Sequence, residues 1–78
     1  MGKNVLITGS FGGIGYATAS YFKRNGWTTI GMDKFCGKDT EHVIDIFLNM
    51  DCSIKENVDI AAKRISKEYG KLDCLVNN

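Results

Sequence analysis

A glycine-rich turn between a short apolar run and a helical segment is the feature that most constrains how this chain can fold. Residues 5–7 are a β-type apolar run between polar neighbours, as in a strand that is buried on both faces. Residues 8–15 read T-G-S-F-G-G-I-G, and from residue 13 onwards apolar side chains recur at the spacing of a helix face. A strand, a glycine turn and a helix in this order predict the first unit of a parallel α/β sheet.

The rest of the chain repeats this alternation of strand and helix. A second helix is predicted after residues 53–56, whose S-x-x-E sequence has the form of a capping box, and Gly70 is expected to end it. Further strands are predicted at residues 27–32, 46–50 and 72–76. The order β-α-β-β-α-β predicts an α/β fold with an incomplete, Rossmann-like parallel sheet of about four strands and two main helices.

Each helix is expected to bury one face. In the first helix, the predicted buried positions are Ile14, Ala17, Thr18, Tyr21 and Phe22. In the second helix, they are Ile54, Val58, Ala61, Ala62, Ile65 and Tyr69. Residues 34–45 leave room for a very short helix at most. They barely allow the second and third strands to be parallel neighbours, because a parallel crossover needs about a dozen residues.

Length and composition exclude several classes of protein. The chain has 78 residues, which is one domain at most, and its 10 basic and 9 acidic side chains provide no electrostatic footprint for nucleic acid. No window approaches the ~18 consecutive apolar residues of a membrane span, so no membrane partner is expected. The 3 cysteines lack C-x-x-C spacing, and His42 is the only histidine, so neither disulfides nor a metal site is predicted. This use of cysteine favours the reducing cytoplasm.

The glycine turn has the properties that binding of a dinucleotide requires. Gly9 would allow a sharp turn out of the strand, Gly13 a close approach of a pyrophosphate to the backbone, and Gly15 close packing of the helix on the sheet. The exposed N–H groups and the positive end of the helix dipole would face the phosphates. A Walker A loop is excluded, because no lysine follows the turn before Lys23. The cofactor-binding residues predicted in the turn are Gly9, Ser10, Phe11, Gly12, Gly13, Ile14 and Gly15.

Acidic residues end two of the predicted strands. Asp33 ends the second strand, where a carboxylate accepts hydrogen bonds from the adenosine ribose and repels a 2′-phosphate, so NAD is favoured over NADP. Lys34 follows directly and could turn inward to meet a phosphate. Asp51 ends the third strand at the same edge of the sheet. Residues 1–78 are therefore predicted to be the N-terminal part of one dinucleotide-binding domain, without a second domain.

Three motifs together resemble the short-chain dehydrogenase/reductase family over nearly the whole chain. Residues 8–15 resemble its T-G-x-x-x-G-[IL]-G turn, residues 51–53 its D-[VL]-[ST] segment, and residues 69–78 its [FY]-G-[RK]-[LI]-D-x-L-V-N-N sequence. The resemblance implies that the Asp51 carboxylate and the Cys52 backbone bind adenine, and that Asn77, in the family's N-N-A-G motif, contacts the cofactor. The short connection between Asp33 and Asp51 is similar to that of dihydropteridine reductase-like members.

The resemblance also implies a reaction, hydride transfer between a nicotinamide and a carbonyl or alcohol carbon. In the family, a serine and a tyrosine with a lysine four residues later carry the chemistry. None of Tyr16, Tyr21 and Tyr69 has that lysine, so no catalytic residue is predicted here and the three tyrosines are expected to pack on helix faces.

Two alternatives to this cofactor-binding part of an oxidoreductase remain open. The chain could be a complete, non-catalytic nucleotide-binding or interaction module. A methyltransferase-like nucleotide protein would suit Asp33 but would leave the L-V-N-N sequence of residues 75–78 unexplained. Because the chain ends within the N-N-A-G motif, we expect a fragment that is marginally stable alone, whose full-length parent could form homo-oligomers.

Overall fold

The computed structural model describes residues 2–78, which form one four-stranded sheet and two helices. The elements in chain order are β1 (Asn4–Thr8), α1 (Gly13–Arg24), β2 (Thr28–Asp33), β3 (Ile46–Asn49), α2 (Lys55–Tyr69) and β4 (Cys74–Val76). The strands pair in parallel in the order β3-β2-β1-β4, so the predicted Rossmann-like α/β fold is confirmed. Over the residues described, neither helix is long and apolar enough to cross a membrane.

The two helices cover opposite faces of the sheet. Successive side chains of a strand point to opposite faces, so β1 contributes to two separate core clusters. Leu6 packs in one cluster with Ile65 of α2, whereas Val5 and Ile7 pack in the other with Ala19 of α1. This double burial explains why β1 is a continuous apolar run rather than an alternating one.

The connection between β2 and β3, residues 34–45, covers the same face as α1. Val43, in this connection, is 4% exposed and belongs to the core cluster under α1. The Asp39 carboxylate accepts hydrogen bonds from the backbone N–H groups of Val43 (2.8 Å) and Ile44 (2.9 Å). Asp39 therefore orders a connection that is too short for a full crossover helix.

Asp45 attaches the other end of this connection to the sheet and to α1. Its carboxylate accepts the backbone N–H of Thr29 on β2 at 2.8 Å and forms an ion pair with Lys23 of α1. The Thr29 hydroxyl, which is buried, donates to the Val43 carbonyl oxygen. These bonds satisfy polar groups of an irregular segment that lies on a core, so β2 and β3 pair in parallel despite the short connection.

Acid is expected to loosen this connection. Burial by itself would raise the pKa of Asp39 and of Asp45. Each carboxylate also accepts backbone N–H groups and one side-chain hydrogen bond, from Tyr16 to Asp39 and from Lys23 to Asp45. These hydrogen bonds outweigh burial, so both pKa values are lowered. A carboxyl whose pKa is lower in the folded state stabilises the fold above its unfolded pKa of ~3.9, and this contribution is lost as the pH falls through the folded pKa.

Unfolding by urea should therefore become easier below about pH 4, and the Asp45→Asn variant should show a flatter dependence of the unfolding free energy on pH than the unmodified protein. Asp59→Asn, which makes the same change of charge at an exposed position of α2, is the matched control. Equal pH dependence in all three proteins would contradict the assignment.

The buried face of α1 differs from the predicted one. Ile14 is 78% exposed and Tyr21 is 59% exposed, whereas Gly15, Ala19 and Ser20 are buried. Because α1 contacts the backbone of the turn at Gly15, the helix is oriented with small side chains inward. The prediction that Ile14, Ala17 and Tyr21 pack on the core was wrong.

The buried face of α2 is predicted correctly at Ala61 and Ile65 but not at Ala62, which is exposed, nor at the ends of the helix. Ala61 and Ile65 are buried, and Val58 packs against their cluster. Ile54 and Tyr69 are 46% and 36% exposed, because they lie at the two ends of the helix, away from the buried centre. The sheet therefore supports only the middle of the helix.

The capping box predicted at residues 53–56 is not formed. The N-cap of α2 is Ile54, which makes no side-chain capping bond, and the Ser53 hydroxyl donates instead to Asp51 Oδ1 at 2.7 Å. In a capping box the Ser53 hydroxyl would accept a backbone N–H, but the helix begins one residue later than predicted, so Ser53 is not at the capping position. At the other end, Gly70 has a φ of +90° and ends the helix as predicted.

Candidate functional site

The glycine turn lies at the carboxyl end of β1 and leads directly into α1. Gly9 has a φ of +64°, and its N–H donates to the Met32 carbonyl oxygen of β2 at 2.8 Å. The Gly12 N–H donates back to the Gly9 carbonyl oxygen at 3.0 Å, which closes the turn. Gly12 is also the N-cap of α1, so the turn brings the first N–H groups of the helix to the edge of the sheet.

Two glycines of the turn differ sharply in their surroundings. A Cβ on Gly15 would lie 2.0 Å from the Gly9 carbonyl oxygen, so the helix and the turn touch there through their backbones. A Cβ on Gly13 would meet nothing within 4 Å. Gly15 therefore permits close packing within the protein, whereas the missing side chain of Gly13 leaves open space outside it.

Ser10 points into the protein. It is fully buried, and a Cβ on Gly31 of β2 would be only 2.6 Å from the Ser10 hydroxyl oxygen. Within residues 2–78 that hydroxyl has no hydrogen-bond partner. In this arrangement the Ser10 side chain does not face the open side of the turn.

Phe11 also directs its side chain away from the open side of the turn. Its ring lies edge-on to Phe47 of β3, with a centroid distance of 5.0 Å, and stacks at 6.0 Å on Tyr16 of α1. Ile14, by contrast, extends into solvent beside Gly13. The side chains of the turn therefore leave its outer backbone surface bare.

Asp33 lies next to the turn, where the sequence places it. Its Oδ2 accepts the backbone N–H of Phe11 at 3.0 Å, and its Oδ1 accepts that of Phe35 at 3.0 Å. Lys34 is exposed, and its carbonyl oxygen accepts the side-chain N–H of Asn49. The end of β2 thus brings a carboxylate and an ammonium group to the edge of the sheet that carries the turn.

Asp51 and Cys52 lie between β3 and α2. Asp51 Oδ1 accepts both the hydroxyl (2.7 Å) and the backbone N–H (2.9 Å) of Ser53. These hydrogen bonds from Ser53, assisted by the positive charge of Lys34, lower the pKa of Asp51. Cys52 is half-buried and packs against the core cluster under α2. The Asp51 carboxylate is therefore ionised, with Oδ1 used internally.

Asn77 and Asn78 form hydrogen bonds with Thr8, the last residue of β1. The Thr8 hydroxyl donates to Asn77 Oδ1 at 3.0 Å and accepts the backbone N–H of Asn78 at 3.1 Å. The Asn78 side-chain N–H donates to the Thr8 carbonyl oxygen at 2.8 Å and lies beside Gly15. Sequence reasoning missed Thr8 and Asn78 as parts of the site. Their contact could have been predicted, because β1 and β4 are parallel strands whose carboxyl ends lie at the same edge of the sheet.

These residues surround one edge of the sheet, and the part of the chain that the structure describes encloses no cavity there. Nor do residues 2–78 contain a group of three or more His, Cys, Asp or Glu side chains that could hold a metal ion. A parallel sheet in the order β3-β2-β1-β4, with a glycine turn between β1 and α1, defines the Rossmann class of α/β folds.

Comparison with known proteins specifies the family. Residues 3–78 match the family model for short chain dehydrogenase, and the chain therefore belongs to the short-chain dehydrogenase family of oxidoreductases. It is 32% identical to L-fucose dehydrogenase of Bos taurus over 81 residues, which are 99% of this chain and 30% of that protein.

Solved structures agree with this assignment. Aldohexose dehydrogenase of Thermoplasma acidophilum, in its ligand-free form, has a TM-score of 0.86 and 31% identity over 99% of this chain and 29% of its own. ElxO, solved with NADP bound, has a TM-score of 0.85 and 36% identity over 100% of this chain and 35% of its own. The chain thus spans about a third of the length of these relatives. The family binds nicotinamide cofactors.

Proposed function

We propose that this chain binds the adenosine and pyrophosphate of a nicotinamide dinucleotide, as the cofactor-binding part of an oxidoreductase that transfers hydride to or from a carbonyl or alcohol carbon. The observation that carries the proposal is the bare outer surface of the glycine turn at Gly13, with the Asp33 carboxylate hydrogen-bonded to the same turn at 3.0 Å. A dinucleotide needs both an open backbone for its phosphates and an acceptor for its ribose.

The N-terminus of α1 suits a pyrophosphate. Its N-cap residue, Gly12, provides no side-chain capping bond, and the first turn of the helix contains no acidic residue. The first N–H groups of a helix lack partners within the helix, and the helix dipole makes this end positive. The backbone N–H groups of the turn are the groups that would bind the phosphates, with Ile14 beside them.

The surroundings of Asp33 favour NAD over NADP. Both carboxylate oxygens already accept one backbone N–H, but an ionised carboxylate has about four lone-pair sites, so two remain for the ribose hydroxyls. A 2′-phosphate would bring a second negative charge to the same place. The positive charge of Lys34 helps to lower the pKa of Asp51, the residue proposed to bind adenine. Asp51, Cys52 and Asn77 are proposed to surround the adenine.

The test is titration of the protein with NADH and with NADPH, followed by nucleotide fluorescence. We expect NADH to bind at least about tenfold more tightly, which corresponds to about 1.4 kcal/mol of repulsion avoided. Asp33→Asn should remove most of this preference, whereas Asp59→Asn, which makes the same change of charge at an exposed position of α2, should keep it. Failure of both nucleotides to bind would refute the proposed function, and tighter binding of NADPH would refute the preference.

The protein is proposed to act in the cytoplasm. In the complete enzyme, its partner is proposed to be a second copy of the same polypeptide. Cys36, Cys52 and Cys74 are all free thiols, as a reducing compartment would keep them. The hydride-transfer chemistry is assigned to the complete enzyme, because Tyr16, Tyr21 and Tyr69 lack the lysine that the family's tyrosine requires.

A further inference from the structure

Tyr16 of α1 and Asp39 of the β2–β3 connection form a hydrogen-bonded pair next to the glycine turn. The Tyr16 hydroxyl donates to Asp39 Oδ1 at 2.6 Å and accepts the backbone N–H of Glu41 at 3.1 Å. Asp39 also accepts the backbone N–H groups of Val43 and Ile44. One side-chain pair therefore holds both the beginning of α1 and much of the connection.

This pair stands next to Phe11, the largest side chain of the glycine turn. The Phe11 ring stacks on Tyr16, meets Phe47 edge-on and touches the connection at Gly37, where a Cβ would lie 2.9 Å from the Phe11 ring. The ring is thus confined by α1, by β3 and by the connection. Because aromatic rings in such packing have few alternative positions, the Phe11 backbone is confined with them.

The Phe11 backbone in turn contacts the residue that would bind the ribose. Its N–H donates to Asp33 Oδ2 at 3.0 Å. A carboxylate that is held by a directed, charge-assisted hydrogen bond presents its remaining lone pairs in a defined direction. The contacts therefore run from the Tyr16 hydroxyl and Asp39, through the stacked Tyr16 and Phe11 rings, to the Phe11 N–H and the Asp33 carboxylate.

We propose that Tyr16 and Asp39 are positioning residues that orient Asp33 toward the 2′-hydroxyl of the adenosine ribose. They act through Phe11 and do not touch the cofactor. The inference rests on the proposed function, since it assigns a second group of residues to the recognition of the same ribose. Tyr16 is thereby given a role distinct from the acid–base chemistry of the family's catalytic tyrosine.

The experiment compares the dissociation constants of NAD⁺ and 2′-deoxy-NAD⁺, which lacks only the hydroxyl in question. The unmodified protein should bind NAD⁺ about tenfold more tightly, as expected for loss of one hydrogen bond to a charged group. Tyr16→Phe keeps the ring against Phe11 and removes only the hydroxyl, and Asp39→Asn keeps the shape and removes the charge. Both variants should reduce the tenfold ratio to about threefold or less.

Asp45→Asn is the matched control, because Asp45 attaches the same connection at its other end, to Thr29 and Lys23. Its ratio should remain about tenfold even where its melting temperature falls. If Tyr16→Phe and Asp39→Asn weaken both nucleotides equally or neither, the positioning role is refuted and the proposed function stands. If the unmodified protein binds NAD⁺ and 2′-deoxy-NAD⁺ equally, the ribose contact itself is refuted, and if it binds neither, the proposed function fails as well.

Discussion

Replacing Gly15 with alanine is expected to destabilise the protein by about 3 kcal/mol or more, the upper range for overpacking a tight contact. The new Cβ would lie 2.0 Å from the Gly9 carbonyl oxygen and 2.8 Å from the Gly9 carbonyl carbon, and these are backbone atoms that cannot rotate away. Helix α1 would have to move away from the turn. At roughly 4–8 °C per kcal/mol for a domain of this size, the melting temperature should fall by about 12–24 °C.

Circular dichroism during heating and urea unfolding measure this loss. Gly13→Ala is the control, because it adds the same methyl group two residues away, where nothing lies within 4 Å. Its stability should equal or exceed that of the unmodified protein by up to about 1 kcal/mol, since alanine is the better helix former. An unchanged melting temperature in Gly15→Ala would show that α1 and the turn are not in backbone contact.

The same Gly13→Ala variant carries the second prediction, which concerns binding. If the pyrophosphate lies on the bare surface of the turn, the added methyl group stands between the phosphate and the N–H groups of the helix. Charge-assisted hydrogen bonds contribute about 1.5–3 kcal/mol each, so loss of one should weaken NADH binding by about tenfold to a hundredfold. Isothermal titration measures the change.

The Gly13→Ala variant separates the effect on stability from the effect on nucleotide binding in one protein. A stable variant that has lost affinity would locate the nucleotide at the turn, whereas a stable variant with unchanged affinity would exclude it from there. Ala17→Gly, at an exposed position farther along α1, is the control for helix flexibility: it should cost about 0.5–1 kcal/mol of stability and leave affinity unchanged.

The order of elements could be predicted because each is specified by its own residues. The β-type run at residues 5–7, the glycine turn and the closing Gly70 are local signals, and the structure places strands and helix ends accordingly. The approach of Asp33 to the turn was also expected, because the carboxyl ends of neighbouring parallel strands share one edge.

The orientation of α1 and the side-chain hydrogen bonds depend on tertiary contacts, which the spacing of apolar residues in the sequence does not reveal. The face of α1 around Tyr21 has the spacing of a buried stripe, but the closeness of Gly15 to Gly9 decides which way the helix is turned. The S-x-x-E sequence does not specify that the second helix begins with Ile54 as its N-cap, which leaves the Ser53 hydroxyl to donate to Asp51. The bond between Tyr16 and Asp39 joins residues 23 positions apart and has no local signature.

The bonds between Thr8 and Asn78 join residues 70 positions apart in the chain. Contacts between residues so far apart in the sequence form late in folding. Closing the long loop between them costs entropy, which strand pairing that has already formed must offset. During synthesis, therefore, the turn and its helix emerge from the ribosome well before their last support does. We expect the glycine turn of the nascent chain to become rigid only after β4 has emerged and has docked beside β1.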